Sequence, residues 1–136
     1  MLDQPTKELL RASIALLPTD AINSTAIFYE RLFELAPEVR ELFPADLSLQ
    51  AQKLLDTLFW VVRYLNRPEE LLPALHALGE RHAGYNVKVD HYAAVGSSLL
   101  WMFQQCLGDQ FTDDMEEAWI NAYAFISAEM ERGQRG

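Results

Sequence analysis

One cysteine in 136 residues, Cys106, excludes an intramolecular disulfide and is compatible with a reducing compartment. Basic residues are scarce as well. Eleven Lys and Arg face twenty Asp and Glu, for a formal charge of −9. Nucleic acids and anionic membranes are held by clustered Lys and Arg, so neither is expected as a partner. No apolar run approaches the roughly 20 residues that a helical membrane span requires. No basic segment followed by an apolar stretch opens the chain, since Met1-Leu2-Asp3-Gln4 turns polar almost at once. The expectation is a soluble cytoplasmic protein. Repeats, low-complexity tracts and linkers are missing too, so residues 1–136 are expected to form one domain, long enough to bury an apolar core.

What is present is helical periodicity. A first helix is expected from about Thr6 to Leu17, ending at Pro18, with Leu10, Ile14 and Leu17 on one stripe. Asp20 is placed to cap a second, carrying Ile22, Ala26, Tyr29 and Phe33 down one face until Pro37. Pro37 to Leu42 reads as a short helical turn before Phe43-Pro44. A third helix bears Gln50, Leu54, Leu58, Val61 and Leu65, and Asn66-Arg67-Pro68 breaks it. A shorter helix runs from Glu69 to about Ala83, and Gly84-Tyr85-Asn86 turns the chain. The next carries Tyr92, Val95, Leu99, Phe103 and Leu107 up to Gly108. Thr112 opens the last, with Asp113 and Asp114 where the helix dipole favours anions. Its inner face holds Met115, Ala118, Trp119, Ala122, Tyr123, Ile126 and Met130, and Gly133 suggests a frayed end. No segment alternates as a strand does, so the fold class is all-α.

Unequal helix lengths and a proline-started turn between two long helices do not suit a plain antiparallel bundle. Polar side chains also interrupt two apolar faces: Tyr29 lies among Ile22, Ala26 and Phe33, and Gln50 leads the stripe of Leu54 and Leu58. A buried phenol or amide without a partner costs a few kcal/mol, about 1–3 from protein data. Periodicity alone leaves two readings open, an enclosed polar ligand or ordinary, partly exposed polar residues.

The runs Phe28-Tyr29-Glu30-Arg31-Leu32-Phe33 and Ala36-Pro37-Glu38-Val39-Arg40-Glu41-Leu42-Phe43 resemble the second and third helices of single-domain bacterial globins and flavohaemoglobins. Leu78-Gly79-Glu80-Arg81-His82, then His91-Tyr92-Ala93-Ala94-Val95-Gly96, and Ala118-Trp119 with Tyr123, resemble the later helices of that group. The spacing is near-even from about residue 1 to 130. The resemblance implies a globin fold of about seven to eight helices around a haem pocket, with haem b as cofactor. It implies that His82 is the proximal iron ligand, that Phe43 wedges the haem, and that Tyr29 and Gln50 face the distal side. It also places Phe28, Leu78, Arg81, Val87, Tyr92, Val95 and Tyr123 around the cofactor, with Leu54 packed over the ligand.

Read as a residue, His82 is a lone histidine late in an amphipathic helix, a type that more often sits at the surface. A ligand role needs its imidazole neutral, with an electron pair free for iron. His76, on another face, is expected to be a partly exposed helix residue, and His91, at a helix start, to be exposed. Gln50 stands where animal globins carry a distal histidine. Iron-held O2 carries partial negative charge, which O–H and N–H donors stabilise. The bland reading of Tyr29 is a core aromatic whose hydroxyl meets a backbone carbonyl; that of Gln50 is a solvated helix start. Lys53 is placed either to pair with a haem propionate or simply in solvent.

The chain departs from the family on the proximal side. In flavohaemoglobins a tyrosine and a glutamate of the last helix make the proximal imidazole a stronger donor. Tyr123 matches the tyrosine. Eleven residues on, at nearly the same helical azimuth, stands Gln134, and Glu131 lies roughly 80° away. Strong peroxidase-like activation is therefore not expected. The expected function is reversible binding of O2, or of NO or CO, at a five-coordinate haem iron in a monomer or weak homodimer. The alternative is nitric oxide dioxygenation or weak peroxidase activity with a separate reductase. A sensor role would need an output domain, for which 136 residues leave no room.

Overall fold

A computed structural model describes residues 2–18, 20–84, 88 and 91–135. Among them six α-helices follow in order: α1 Gln4–Ala15, α2 Ala21–Leu35, α3 Ser48–Arg63, α4 Pro68–Gly84, α5 His91–Leu107 and α6 Asp113–Arg135. Two 3-10 segments, Pro37–Leu42 and Gly108–Gln110, join α2 to α3 and α5 to α6. No strand occurs among the described residues. The all-α expectation holds.

Local chemistry sets the helix ends. The Asp3 carboxylate accepts from the Thr6 amide at 2.9 Å and caps α1. The cap therefore lies before the expected start at Thr6, and regular turns end at Ala15, ahead of Pro18. Thr112 Oγ1 accepts from the Met115 amide at 3.2 Å and caps α6. Gly108, at φ 55°, ends α5 in a left-handed conformation that glycine adopts without strain. Asp20 precedes α2 but makes no side-chain cap; its carboxylate accepts instead from the Asn23 amide group.

Three further expectations are corrected. The buried face of α2 is Ala21, Ser24, Thr25, Phe28, Tyr29 and Leu32, whereas Ile22 and Ala26 are exposed. The small hydroxyls Ser24 and Thr25 take the inner positions; Thr25 satisfies itself by donating to the Ile22 carbonyl at 2.6 Å. α4 is 17 residues long, no shorter than the 16-residue α3, and it runs through Pro73. The end of α6 is not frayed before Gly133, for it continues to Arg135. A Cβ at Gly133 would lie 1.9 Å from the His76 carbonyl oxygen, so the glycine is where α6 meets α4.

The core is one cluster fed by every α-helix. Trp119 and Phe103 stack at 4.9 Å, and Phe103 stacks on Phe111 at 5.4 Å. The buried Trp119 indole donates to Ser13 Oγ at 2.7 Å, and Ser13 donates on to the Leu10 carbonyl at 2.8 Å. This relay satisfies every polar atom it buries and ties α1 to α6. α5 packs across α2, while α4 lies along α6, which it meets far more extensively than it meets any other element.

Candidate functional site

On α2, Tyr29 is the hub of an aromatic cluster. Its ring lies edge-on to Phe28 at 5.0 Å and to Phe43 at 5.6 Å, and 6.1 Å from Phe33. Phe33 and Phe43 meet at 5.6 Å. Phe43 is delivered by the 3-10 segment and the loop after it. Arg40 shapes that loop by donating to the carbonyls of Phe43 and Pro44 at 3.2 and 3.1 Å, with its guanidinium over the Phe33 ring. Phe28 and Tyr29 are buried. Burial pushes the Tyr29 phenol up to about 12, so it keeps its proton throughout the ordinary pH range. Its hydroxyl has no hydrogen-bond partner among the described residues. The bland reading, a hydroxyl tied to a backbone carbonyl, is not found there.

Gln50 sits in the first turn of α3. Its side-chain oxygen is buried and has no hydrogen-bond partner among the described residues. An amide is buried without a partner only at a cost, so this orphan marks a place where a polar ligand fits. Leu54, one turn on, is half-buried, and Lys53 is exposed.

His82 lies near the C-terminal end of α4. Its Nδ1–H donates to the Leu78 carbonyl at 2.7 Å. That bond fixes the tautomer and leaves Nε2 with its lone pair. Burial lowers the imidazole below its ordinary range, more than the Leu78 carbonyl raises it, and Arg81 adds to the lowering. The ring is a neutral nitrogen donor oriented by a backbone acceptor, as a metal-ligating histidine requires. Arg81 is exposed and Leu78 half-buried.

On α5 and α6, the Tyr123 hydroxyl donates to the Tyr92 carbonyl at 2.6 Å, and the Tyr92 hydroxyl to Gln134 Oε1 at 3.2 Å. Burial raises the phenols of Tyr92 and Tyr123, with the Glu131 charge adding to both. Glu131 itself pairs with Arg135 at 3.2 Å. The Tyr123 ring lies against Gly96, where a Cβ would stand 2.8 Å from it, while Val95 beside that glycine is half-buried. Val87, and the turn at Tyr85-Asn86, lie outside the described residues.

Of the other two histidines, His76 is partly exposed as expected and His91 is not. The His91 side chain keeps 13% of its accessible surface. It accepts at Nδ1 from the Lys88 amide and turns Nε2 toward Glu38 at 3.6 Å. His76 keeps 42% of its surface but donates to the buried Glu129 carboxylate at 2.7 Å. Glu129 escaped the sequence reading. Its signal was an acid on the inner stripe of α6, three residues after Ile126.

A globin family profile matches residues 26–130. The chain belongs to the globin family. It is 30% identical to a flavohemoprotein of Chromobacterium violaceum over 93% of this chain and 32% of that protein. It thus spans about a third of the length of the flavohemoproteins it matches. It is 32% identical to neuroglobin-1 of Oncorhynchus mykiss, over 97% of this globin and 92% of that one. Among solved structures, an engineered carbene transferase from Rhodothermus marinus, whose parent is assigned as a nitric oxide dioxygenase, is 29% identical, with a TM-score of 0.87 over 99% of this chain and 94% of its own. A hexacoordinated haem protein from a tardigrade shares the fold at TM-score 0.89 and 17% identity.

A globin implies a haem, and these residues fit one. The neutral His82 supplies a nitrogen donor, the aromatic cluster an apolar wall, and the Tyr29 hydroxyl and the buried Gln50 side-chain oxygen polar atoms without a partner among the described residues. Among the described residues no helix is long and apolar enough to cross a membrane.

Proposed function

We propose that this globin holds haem b through His82 and reversibly binds O2, or another diatomic gas, beside Tyr29 and Gln50. The observation that carries the reading is the pair of polar groups without protein partners, the Tyr29 hydroxyl and the buried Gln50 side-chain oxygen. Haem supplies an iron that takes diatomic gases when its fifth position is held by a histidine. His82 holds that position because the Leu78 carbonyl keeps its proton on Nδ1 and burial keeps the ring neutral. Tyr29 stays protonated and donates to the polar ligand, and a flip of the Gln50 amide, which puts its N–H where the orphaned oxygen stands, gives the same ligand a second donor. Phe28, Phe43 and Leu54 exclude water, which strengthens both donor contacts. Leu78, Arg81, Val87, Tyr92, Val95 and Tyr123 are assigned to the proximal wall, and Lys53 to a propionate at the haem edge. The domain acts as a unit over residues 1–136, in the cytoplasm.

A second reading, nitric oxide dioxygenation with electrons from a separate reductase, is favoured by the likeness to the Rhodothermus marinus protein. Equilibrating the reduced, haem-loaded protein with O2 and then removing it by vacuum tests the first. Full recovery of the deoxy spectrum supports reversible binding; rapid oxidation on each cycle contradicts it. Rapid loss of the O2 spectrum on adding NO, with nitrate as product, favours the second.

A further inference from the structure

The helix that carries His82 rests on one neighbour. α4 meets α6 far more extensively than it meets any other element. Two glycines make that approach possible. A Cβ at Gly79 would lie 1.9 Å from the Met130 carbonyl oxygen, and one at Gly133 would lie 1.9 Å from that of His76. Each helix thus presents a glycine to a backbone carbonyl of the other, a reciprocal contact in which Cα–H groups face carbonyl oxygens. Any larger residue at either place must push the axes apart.

A charged clasp spans the same seam. Glu129 is 6% exposed, accepts from His76 Nε2 at 2.7 Å and pairs with Arg132 at 2.8 Å. A buried carboxylate is tolerated only when paired, and leaving it uncompensated is strongly destabilising. The two glycines fix the separation of the helices, and the clasp fixes the rotation of α4 about its axis. Gly79 is three residues and His76 six residues before His82 in one continuous helix, about 5 and 9 Å along the axis at 1.5 Å per residue. An unbroken helix carries a shift of either point to the imidazole.

Resting on the reading of His82 as the haem ligand, we propose that Gly79, Gly133 and Glu129 are positioning residues that set where α4 holds the His82 imidazole. The seam sets haem retention and the geometry of the proximal ligand without touching either. α6 is thereby a second structural determinant of the site, beyond the tyrosine and glutamine it supplies.

Gly133→Ala is the informative substitution, because the residue lies on the other helix. Alanine is the better helix former, so an effect confined to α6 would stabilise the chain. The seam predicts the opposite. In the full-length, haem-free protein, Gly133→Ala and Glu129→Ala should both shift the His82 ring resonances in nitrogen-detected NMR. Glu129→Gln, which keeps an acceptor for His76, should restore them most of the way. In the haem-loaded protein, transfer of haem to an acceptor globin should quicken at least tenfold in the two alanine variants. Ser13→Ala, at the contact of α1 with α6, is the control: it loses stability but moves neither readout. Unshifted His82 resonances, with haem loss within twofold of wild type in both alanine variants, would overturn the proposal. A wild-type haem spectrum that survives His82→Ala would instead defeat the ligand assignment, and the NMR arm alone would then judge the seam.

Discussion

The Tyr92 hydroxyl donates to the Gln134 side-chain oxygen across 3.2 Å, joining the start of α5 to the last turn of α6. The neighbouring Tyr123 hydroxyl is committed to the Tyr92 carbonyl at 2.6 Å, and His82 to the Leu78 carbonyl. No carboxylate takes part in these three bonds, and among the described residues the hydrogen bond of the imidazole goes to a neutral backbone acceptor. The iron–histidine stretch in resonance Raman should therefore lie in the range of ordinary oxygen-storage globins. A peroxidase-like frequency in the wild type would contradict this and bring Glu131 into the proximal network.

Tyr29→Phe removes a hydroxyl that bonds to no described residue, so folding stability should change by less than about 0.5 kcal/mol. Ligand release should respond strongly. Hydrogen bonds to charged groups are worth about 1.5–3 kcal/mol, and about 1.4 kcal/mol is a factor of ten. O2 should leave roughly ten- to hundredfold faster by stopped-flow displacement with CO, while CO release, from a nearly non-polar ligand, changes far less. Gln50→Leu should act in the same direction, and the two effects should not add, because both groups serve one ligand. An O2 off-rate within about twofold of wild type in Tyr29→Phe would remove the distal donor from the account.

Burial lowers the His82 pKa, so the unfolded chain binds a proton that the folded chain resists. That contribution is fully present above the unfolded value of about 6.5 and is lost as pH falls from there through the lowered folded value. Urea unfolding of the haem-free protein should show a midpoint that drops between pH 7 and pH 5. His82→Gln should flatten that drop. An equal drop in the variant would assign it to other groups.

Ser13 accepts the buried Trp119 indole N–H at 2.7 Å. Ser13→Ala leaves that donor unsatisfied and should cost about 1–3 kcal/mol in chemical unfolding, with the helical circular dichroism unchanged. A loss under about 0.5 kcal/mol would mean that the indole finds another acceptor.

Helix number, order and fold class were legible because 3.6-residue periodicity and the prolines at 37 and 68 punctuate the chain clearly. The inner face of α2 was misread because Ser24 and Thr25 are small enough to pack there, and Thr25 satisfies its hydroxyl on the Ile22 carbonyl, while the apolar Ile22 side chain is left outside. Single-helix patterns weigh hydropathy, whereas the fold selects side chains for size at a crossing. The azimuth of Gln134 on α6 was legible, and it does meet Tyr92. The glycine contacts of α4 with α6 were not, since a glycine in a helical pattern signals an end as readily as a crossing. Gly133 shows this: a residue that suggests fraying is a close contact. The Leu78 bond that settles the tautomer of His82 depends on a rotamer that spacing alone does not specify.

Everything proposed for the distal side depends on His82 holding the haem. The direct measurement is the visible absorption spectrum of the reduced, ligand-free protein reconstituted with haem, taken for wild type and His82→Ala. A five-coordinate, histidine-ligated deoxy spectrum is expected in the wild type. The variant should retain little haem, or hold it loosely without that spectrum, and added imidazole should partly restore it. An unchanged deoxy spectrum in His82→Ala would contradict His82 as the ligand.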